Sequence, residues 1–204
     1  MEFIGPIQRI KNVARDIRIG GKILGGTIET KFADVGAKAT ANSSYEMVED
    51  IFNQIIVYDD DVLVDVGCGK GRVLNSWIKL YPKNKKIGIE IDGDVAEFTR
   101  NRLKKYSNCE IITGNILNSI PKDGTIFFMF NPFNENVLRE FREKLEKSEA
   151  KEIIIVYLLC AHINVFEEGE MWKVDYIQGR KHKIHPTAII TNRQRTDVRP
   201  RFRK

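Results

Sequence analysis

Three glycines at alternate positions, Gly67, Gly69 and Gly71, follow the apolar run Val62-Leu-Val-Asp-Val66 without a gap. An apolar helical pattern then resumes at Val73. A buried strand, a tight turn and a helix start are thus compressed into Val62–Arg72. Glycine is needed where a chain turns sharply or a ligand touches backbone, because a Cβ would block either. A helix beginning at Gly71 or Arg72 points unpaired N–H groups, and the positive end of its dipole, back at the loop. The stretch is therefore suited to hold a small ligand that carries negative charge.

The rest of the chain repeats this unit. Val73, Trp77, Ile78 and Tyr81 mark a helix that Pro82 stops, and Lys86–Ile91 is a second strand. Asp92 caps a helix whose inner side reads Val95, Phe98, Leu103 and Tyr106; Cys109–Thr113 and Gly124–Phe130 are further strands. Asn134 caps a helix burying Val137, Leu138, Phe141 and Leu145, and Glu152–Leu159 is a fifth strand. Met171–Ile177 and Ile184–Thr191, the latter interrupted by Pro186, form an antiparallel hairpin at a sheet edge, where proline is tolerated. Nearly all-apolar strands alternating with helices predict a parallel sheet covered on both faces, in a single domain over 1–204.

Upstream, residues 6–19 read as a short helix with Pro6 in its first turn and Ile7, Ile10, Ala14 and Ile17 on one face. Such a helix docks on the body, covers a ligand or lies on a membrane surface. Gly20-Gly21 and Gly25-Gly26 punctuate a small hairpin or loop. Ser43–Glu46 fits a capping box ahead of a helix with Met47, Val48, Ile51, Phe52 and Ile55 inward, and Asp59-Asp60-Asp61 reads as a solvated turn.

Composition narrows the classes. With 42% hydrophobic and 30% charged residues in 204, the chain reads as globular. No apolar run approaches the roughly 20 residues of a membrane span, and Met1–Pro6 lacks a basic-then-apolar leader, so a cytoplasmic protein is expected. Cys68, Cys109 and Cys160 are distant and odd in number, as free thiols would be, and no cluster suggests a metal. Ten Lys or Arg against two Asp lie between Lys173 and Lys204, on an otherwise slightly acidic chain. That end is either a polyanion contact or a solvated tail.

Ligands of open α/β sheets sit beyond the carboxyl ends of the strands. Four such ends carry pointed residues: Asp65 with the glycine loop, Glu90 at 23 positions after Gly67, Gly114-Asn115, and Asn131-Pro132-Phe133. An acid at the second end can accept both hydroxyls of a ribose. Each has a dull reading as a turn or surface residue; their joint occurrence at one edge favours a site.

This set resembles the class I S-adenosylmethionine-dependent methyltransferases over about residues 43–160, in particular small bacterial members whose loop reads Gly-x-Gly-Lys-Gly-Arg. The resemblance implies a three-layer α-β-α sandwich around a seven-stranded, mostly parallel, Rossmann-like sheet that ends in a reversed hairpin. It implies that Asp65, Gly67, Cys68, Gly69 and Gly71 approach the amino-acid and ribose part of S-adenosylmethionine. Glu90, with Ile91 beside it, would hold the ribose, while Asn115 and Ile116 would meet the adenine. Asn115 departs from the usual Asp and brings a neutral amide. Asn131-Pro132-Phe133 resembles the Asn-Pro-Pro-aromatic motif of N-methyltransferases with one proline missing. There the Asn oxygen accepts from the target N–H and the aromatic ring stacks on the substrate, so these three are the candidate catalytic residues.

Residues 1–43 would then be a substrate-side cap, 44–191 the core and 192–204 a basic tail. Lys70 and Arg72 are candidates for the cofactor carboxylate, and His162 for a base, each with a structural alternative. The expected reaction is methyl transfer to a small molecule, sugar, protein side chain or RNA, leaning to nitrogen. Two rivals stay open: a nicotinamide-dependent oxidoreductase, whose third fingerprint glycine would fall at Arg72, and a non-catalytic cofactor- or RNA-binding module.

Overall fold

In the computed structural model, which describes residues 6–26, 31–37, 43–148, 152–179 and 185–192, the apolar runs are strands of one sheet. They are β1 (Val62–Val66), β2 (Lys85–Glu90), β3 (Cys109–Thr113), β4 (Ile126–Phe130), β5 (Ile154–Leu158), β6 (Trp172–Ile177) and β7 (Thr187–Asn192). Their order is β3-β2-β1-β4-β5-β7-β6. β1 to β5 run parallel, and β7 pairs antiparallel with both β5 and β6. The reversed hairpin is therefore an addition beyond β5, with Pro186 just ahead of β7 where no ladder bond is lost. Among the described residues six α-helices accompany the sheet: α1 (Pro6–Gly20), α2 (Tyr45–Phe52), α3 (Arg72–Leu80), α4 (Gly93–Leu103), α5 (Glu135–Glu146) and the single turn α6 (Asn164–Glu167).

Two apolar clusters, one per face, cover the sheet. One joins α2 and α3 to alternate strand residues through Phe52, Trp77 and Phe128, whose rings meet edge-on or tilted at 5.4–6.3 Å. The other gathers Phe127, Phe141, Leu138, Tyr157 and Trp172 beneath α5 and α6. Alternation along each strand assigns neighbours such as Phe127 and Phe128 to opposite clusters, as the period of two requires.

Two local expectations need correcting, and one left open is decided. The cap of α2 is Ser44, whose hydroxyl accepts from the Met47 N–H, while Ser43 is buried ahead of it. On α4 the inward face is Val95, Ala96, Thr99, Arg102 and Leu103, and Phe98 is 38% exposed. Thr99 and Arg102 turn inward because the glycine loop gives them hydrogen-bond partners, and that outweighs the burial of one more phenyl ring.

The open one is α1, whose apolar stripe faces outward. Asn12, Asp16 and Ile19 are buried, whereas Ile7, Ile10 and Ile17 are 72%, 70% and 50% exposed. The reason is Asp16. Its carboxylate, fully buried, accepts from the Tyr45 hydroxyl at 2.6 Å and the Leu24 N–H at 3.0 Å, and pairs with Arg72 at 2.8 Å. Three partners for one carboxylate hold the polar face down. Residues 22–26 form no strand, and the remainder of the expected hairpin lies outside the described residues. So do nine of the ten cations of the basic carboxyl-terminal end, with His182 and all of 193–204.

Candidate functional site

The glycine loop is tied to its neighbours almost entirely by backbone. Gly67 and Cys68 both donate to the carbonyl of Ile89 at 2.9 Å, and Gly71 N–H closes a turn on Cys68 C=O at 2.8 Å. All three glycines have positive φ. At Gly71 a Cβ would also meet Arg102 Nη2 and Thr99 Cγ2 at 2.9 Å, so two independent constraints exclude a side chain. From α4, Thr99 donates to the Gly69 carbonyl at 2.8 Å and Arg102 to the Lys70 carbonyl at 2.8 Å. Arg102 continues to Asn75, and Asn75 donates to Tyr45, the same phenol that donates to Asp16. A continuous hydrogen-bonded chain thus runs from α1 to the glycine loop. Sequence reasoning missed Asp16, Tyr45, Asn75, Thr99 and Arg102. Only Thr99 and Arg102 left a trace there, spaced from Val95 like one helix face.

Gly67 is exposed, with Cys68 and Gly69 buried behind it. The Cys68 side chain packs into the core at Gly88 of β2, where a Cβ would stand 2.8 Å from its sulfur. Burial, and then the neighbouring acid Asp65, push its thiol well above the ordinary range. Glu90 is tied to the same loop: one carboxylate oxygen accepts from Gly69 N–H at 2.8 Å, the other from Asp92 N–H at 3.0 Å. Each oxygen keeps lone-pair capacity for a hydroxyl. Burial nevertheless raises its pKa.

Asp65 stands out. It is 3% exposed and its Oδ2 has no hydrogen-bond partner. Burial first, and the Glu90 charge second, push its pKa well above the carboxylate range. An orphaned carboxylate oxygen beside the glycine loop suits a cationic ligand group, which would satisfy it and restore its charge. Lys70 and Arg72 point elsewhere than expected: Lys70 donates to the Gly25 carbonyl at 2.7 Å, and Arg72 is held by Asp16. Arg72 also occupies the place of the third glycine that a dinucleotide fingerprint needs.

Asn115 follows β3 and caps a 3₁₀ turn, its side-chain oxygen accepting from Leu117 N–H at 2.9 Å. An adenine amino group would therefore share that oxygen. Ile116 is buried, and Ile91 lies directly after β2.

Asn131–Phe133 follows β4. A Cβ on Gly67 would lie 3.4 Å from Pro132 Cβ, so the two loops touch. Asn131 has a φ of 41°, in the left-handed region that asparagine tolerates better than most residues. Its side-chain oxygen accepts from the Tyr157 hydroxyl at 3.1 Å. Burial raises that phenol to about 12, so Tyr157 remains an O–H donor and not a base. Phe133 is buried against Phe141 and bridges to Ala37, so its ring belongs to the core and does not stand free as a stacking platform. Asn134 N–H donates to Gly36 C=O at 3.2 Å, which brings the amino-terminal segment against the acceptor loop. His162 is 3.9 Å from Glu135 at the start of α5. His185 packs near Phe130. Among the described residues no group of three or more His, Cys, Asp or Glu could hold a metal, and no helix is long and apolar enough to cross a membrane.

Residues 58–155 match the family model described as a methyltransferase domain. An rRNA adenine N-6-methyltransferase of Lysinibacillus sphaericus is 36% identical over 70 residues, 34% of this chain and 28% of that protein. A protein-lysine N-methyltransferase of Saccharolobus islandicus is 29% identical over 94 residues, 45% of this chain and 57% of that one. The chain thus spans less than two thirds of either relative. An RNA methyltransferase of Salinibacter ruber, solved with S-adenosyl-L-homocysteine, shares the fold with a TM-score of 0.50 at 16% identity, covering 81% of this chain and 99% of that one.

Proposed function

We propose, for a chain whose residues 58–155 match a methyltransferase-domain family model, that it is a class I methyltransferase and transfers a methyl group from S-adenosylmethionine to a nitrogen acceptor. When bound, S-adenosylmethionine supplies a methyl group already activated on a sulfonium. The protein's part is then to bind, align and keep out water. Asp65 would receive the cofactor ammonium, ending the isolation of its Oδ2. Glu90 would take the ribose hydroxyls, with the exposed Gly67 leading the loop beneath the amino-acid end. Ile91, Asn115 and Ile116 would flank the adenine. Asn131 would accept from the acceptor N–H through its side-chain oxygen, and Pro132, against Gly67, would keep its loop beside the glycine loop.

The observation that supports the acceptor reading is the contact of Pro132 with Gly67, which sets the loop bearing Asn131 next to the loop expected to hold the cofactor. The names of the two relatives, both N-methyltransferases, agree with it. Phe133 enters as the buried wall behind Asn131. The described part of residues 1–43 lies along both loops, through Lys70 to Gly25 and Asn134 to Gly36, as a substrate-side cap would.

Incubation with methyl-labelled S-adenosylmethionine and separate preparations of RNA, protein and small metabolites, followed by mass spectrometry of the product, tests this. Label should appear on nitrogen. Asn131→Ala should lower turnover at least about a hundredfold while cofactor binding persists, the scale of a lost positioning contact. Label on oxygen or carbon alone, or turnover unchanged in Asn131→Ala, would retire the role of Asn131.

A further inference from the structure

The outward face of α1 has no role in the site just described. Ile7, Ile10, Ala14 and Ile17 recur along one exposed stripe, and Ile23 beyond the helix is 58% exposed. Of the six large apolar side chains exposed among the described residues, four are these isoleucines, so the patch is a concentration and not scatter. Arg9, Lys11 and Arg18 border it and are exposed. The helix has a single acid, Asp16, and that is buried and paired with Arg72. Exposed isoleucines flanked by cations, with no exposed acid on the helix, fit an interfacial surface and not a solvated one.

We infer that α1 docks this protein on an anionic phospholipid bilayer, with Ile7, Ile10 and Ile17 entering the acyl boundary and Arg9, Lys11 and Arg18 meeting the headgroup phosphates. Charge decides between occupants. A second copy pairing along the same stripe about a two-fold axis would set these cations against one another with no acid between them. RNA would take the cations but leave the isoleucines in water. A negatively charged lipid surface satisfies both halves of the face. The underside of α1 is fixed to α2 and α3 through Asp16, Tyr45 and Arg72, so the stripe is presented by a helix already held in place.

Co-sedimentation of the full chain with vesicles of phosphatidylcholine alone, or mixed with phosphatidylglycerol, is the test. Binding should require phosphatidylglycerol, weaken with salt, and fall at least about tenfold in Ile10→Glu/Ile17→Glu. Both positions are exposed, so that variant should keep the parent's melting temperature and S-adenosylhomocysteine affinity, which separates failure here from failure of the methyltransferase reading. Arg9→Gln/Lys11→Gln/Arg18→Gln should also bind less. No pelleting with the anionic vesicles, equal pelleting with neutral ones, or undiminished binding by the isoleucine variant would overturn the inference. So would a dimer that this variant dissolves, since the stripe would then be a self-interface.

Discussion

At the scale of single residues, Asp65 carries the sharpest physical tension. It is buried, its Oδ2 is unpartnered, and its pKa stands well above the carboxylate range because of burial and, secondarily, Glu90. Below about pH 4 the folded and unfolded chains both hold this proton, and Asp65 makes no difference to stability. As pH rises, the unfolded chain releases the proton while the folded chain retains it, so the raised pKa lowers stability until the folded pKa is passed. Asp65→Asn removes that dependence. In thermal denaturation without ligand, its melting temperature should gain on the parent's more at about pH 8 than at about pH 5. The same variant should bind S-adenosylhomocysteine much more weakly, having lost the charge that receives the ammonium. A variant no more stable at the higher pH would show that the orphaned oxygen carries no strain.

Elements were legible where one pattern sufficed. The buried strands could be read because unbroken apolar runs allow little else, and the caps at Asp92 and Asn134 because their oxygens meet N–H groups two or three residues on. The orientation of α1 was not legible. Its isoleucine stripe is plain in the sequence, but periodicity says which residues share a face and not which face turns inward. That was settled by Asp16 finding Tyr45 and Arg72, 29 and 56 positions away. The same holds for α4, where Thr99 and Arg102 displace Phe98 because Gly69 and Lys70 supply carbonyls from a distant loop. Asp16→Ala should expose the cost of these long-range ties. Removing one partner from a buried ion pair leaves Arg72 uncompensated and should cost about 3–5 kcal/mol in chemical denaturation. A loss near that of a surface pair, below about 1 kcal/mol, would contradict the role assigned to the pair.

At the scale of the whole molecule, the topology brings the glycine loop, Glu90, Asn115 and Asn131 along one edge, at the carboxyl ends of β1, β2, β3 and β4, and the proposed chemistry would lie there. The residue types and their order were readable, since glycines, an acid and an amide at successive strand ends have few joint explanations. Their mutual geometry was not, because the contact of Pro132 with Gly67 and the bond from Tyr157 to Asn131 depend on strand neighbours far apart in sequence. The amino-terminal segment completes this edge from one side, and α1 turns its own apolar face away from it. The central claim is that this edge binds S-adenosylmethionine, and calorimetric titration of the purified chain with S-adenosylhomocysteine and, separately, NADH tests it most directly. Saturable binding of S-adenosylhomocysteine, weakened at least about tenfold in Glu90→Gln as expected for loss of a charged hydrogen-bond acceptor, with no comparable heat from NADH, is the predicted result. Preferential binding of NADH, or S-adenosylhomocysteine affinity unchanged in Glu90→Gln, would contradict it.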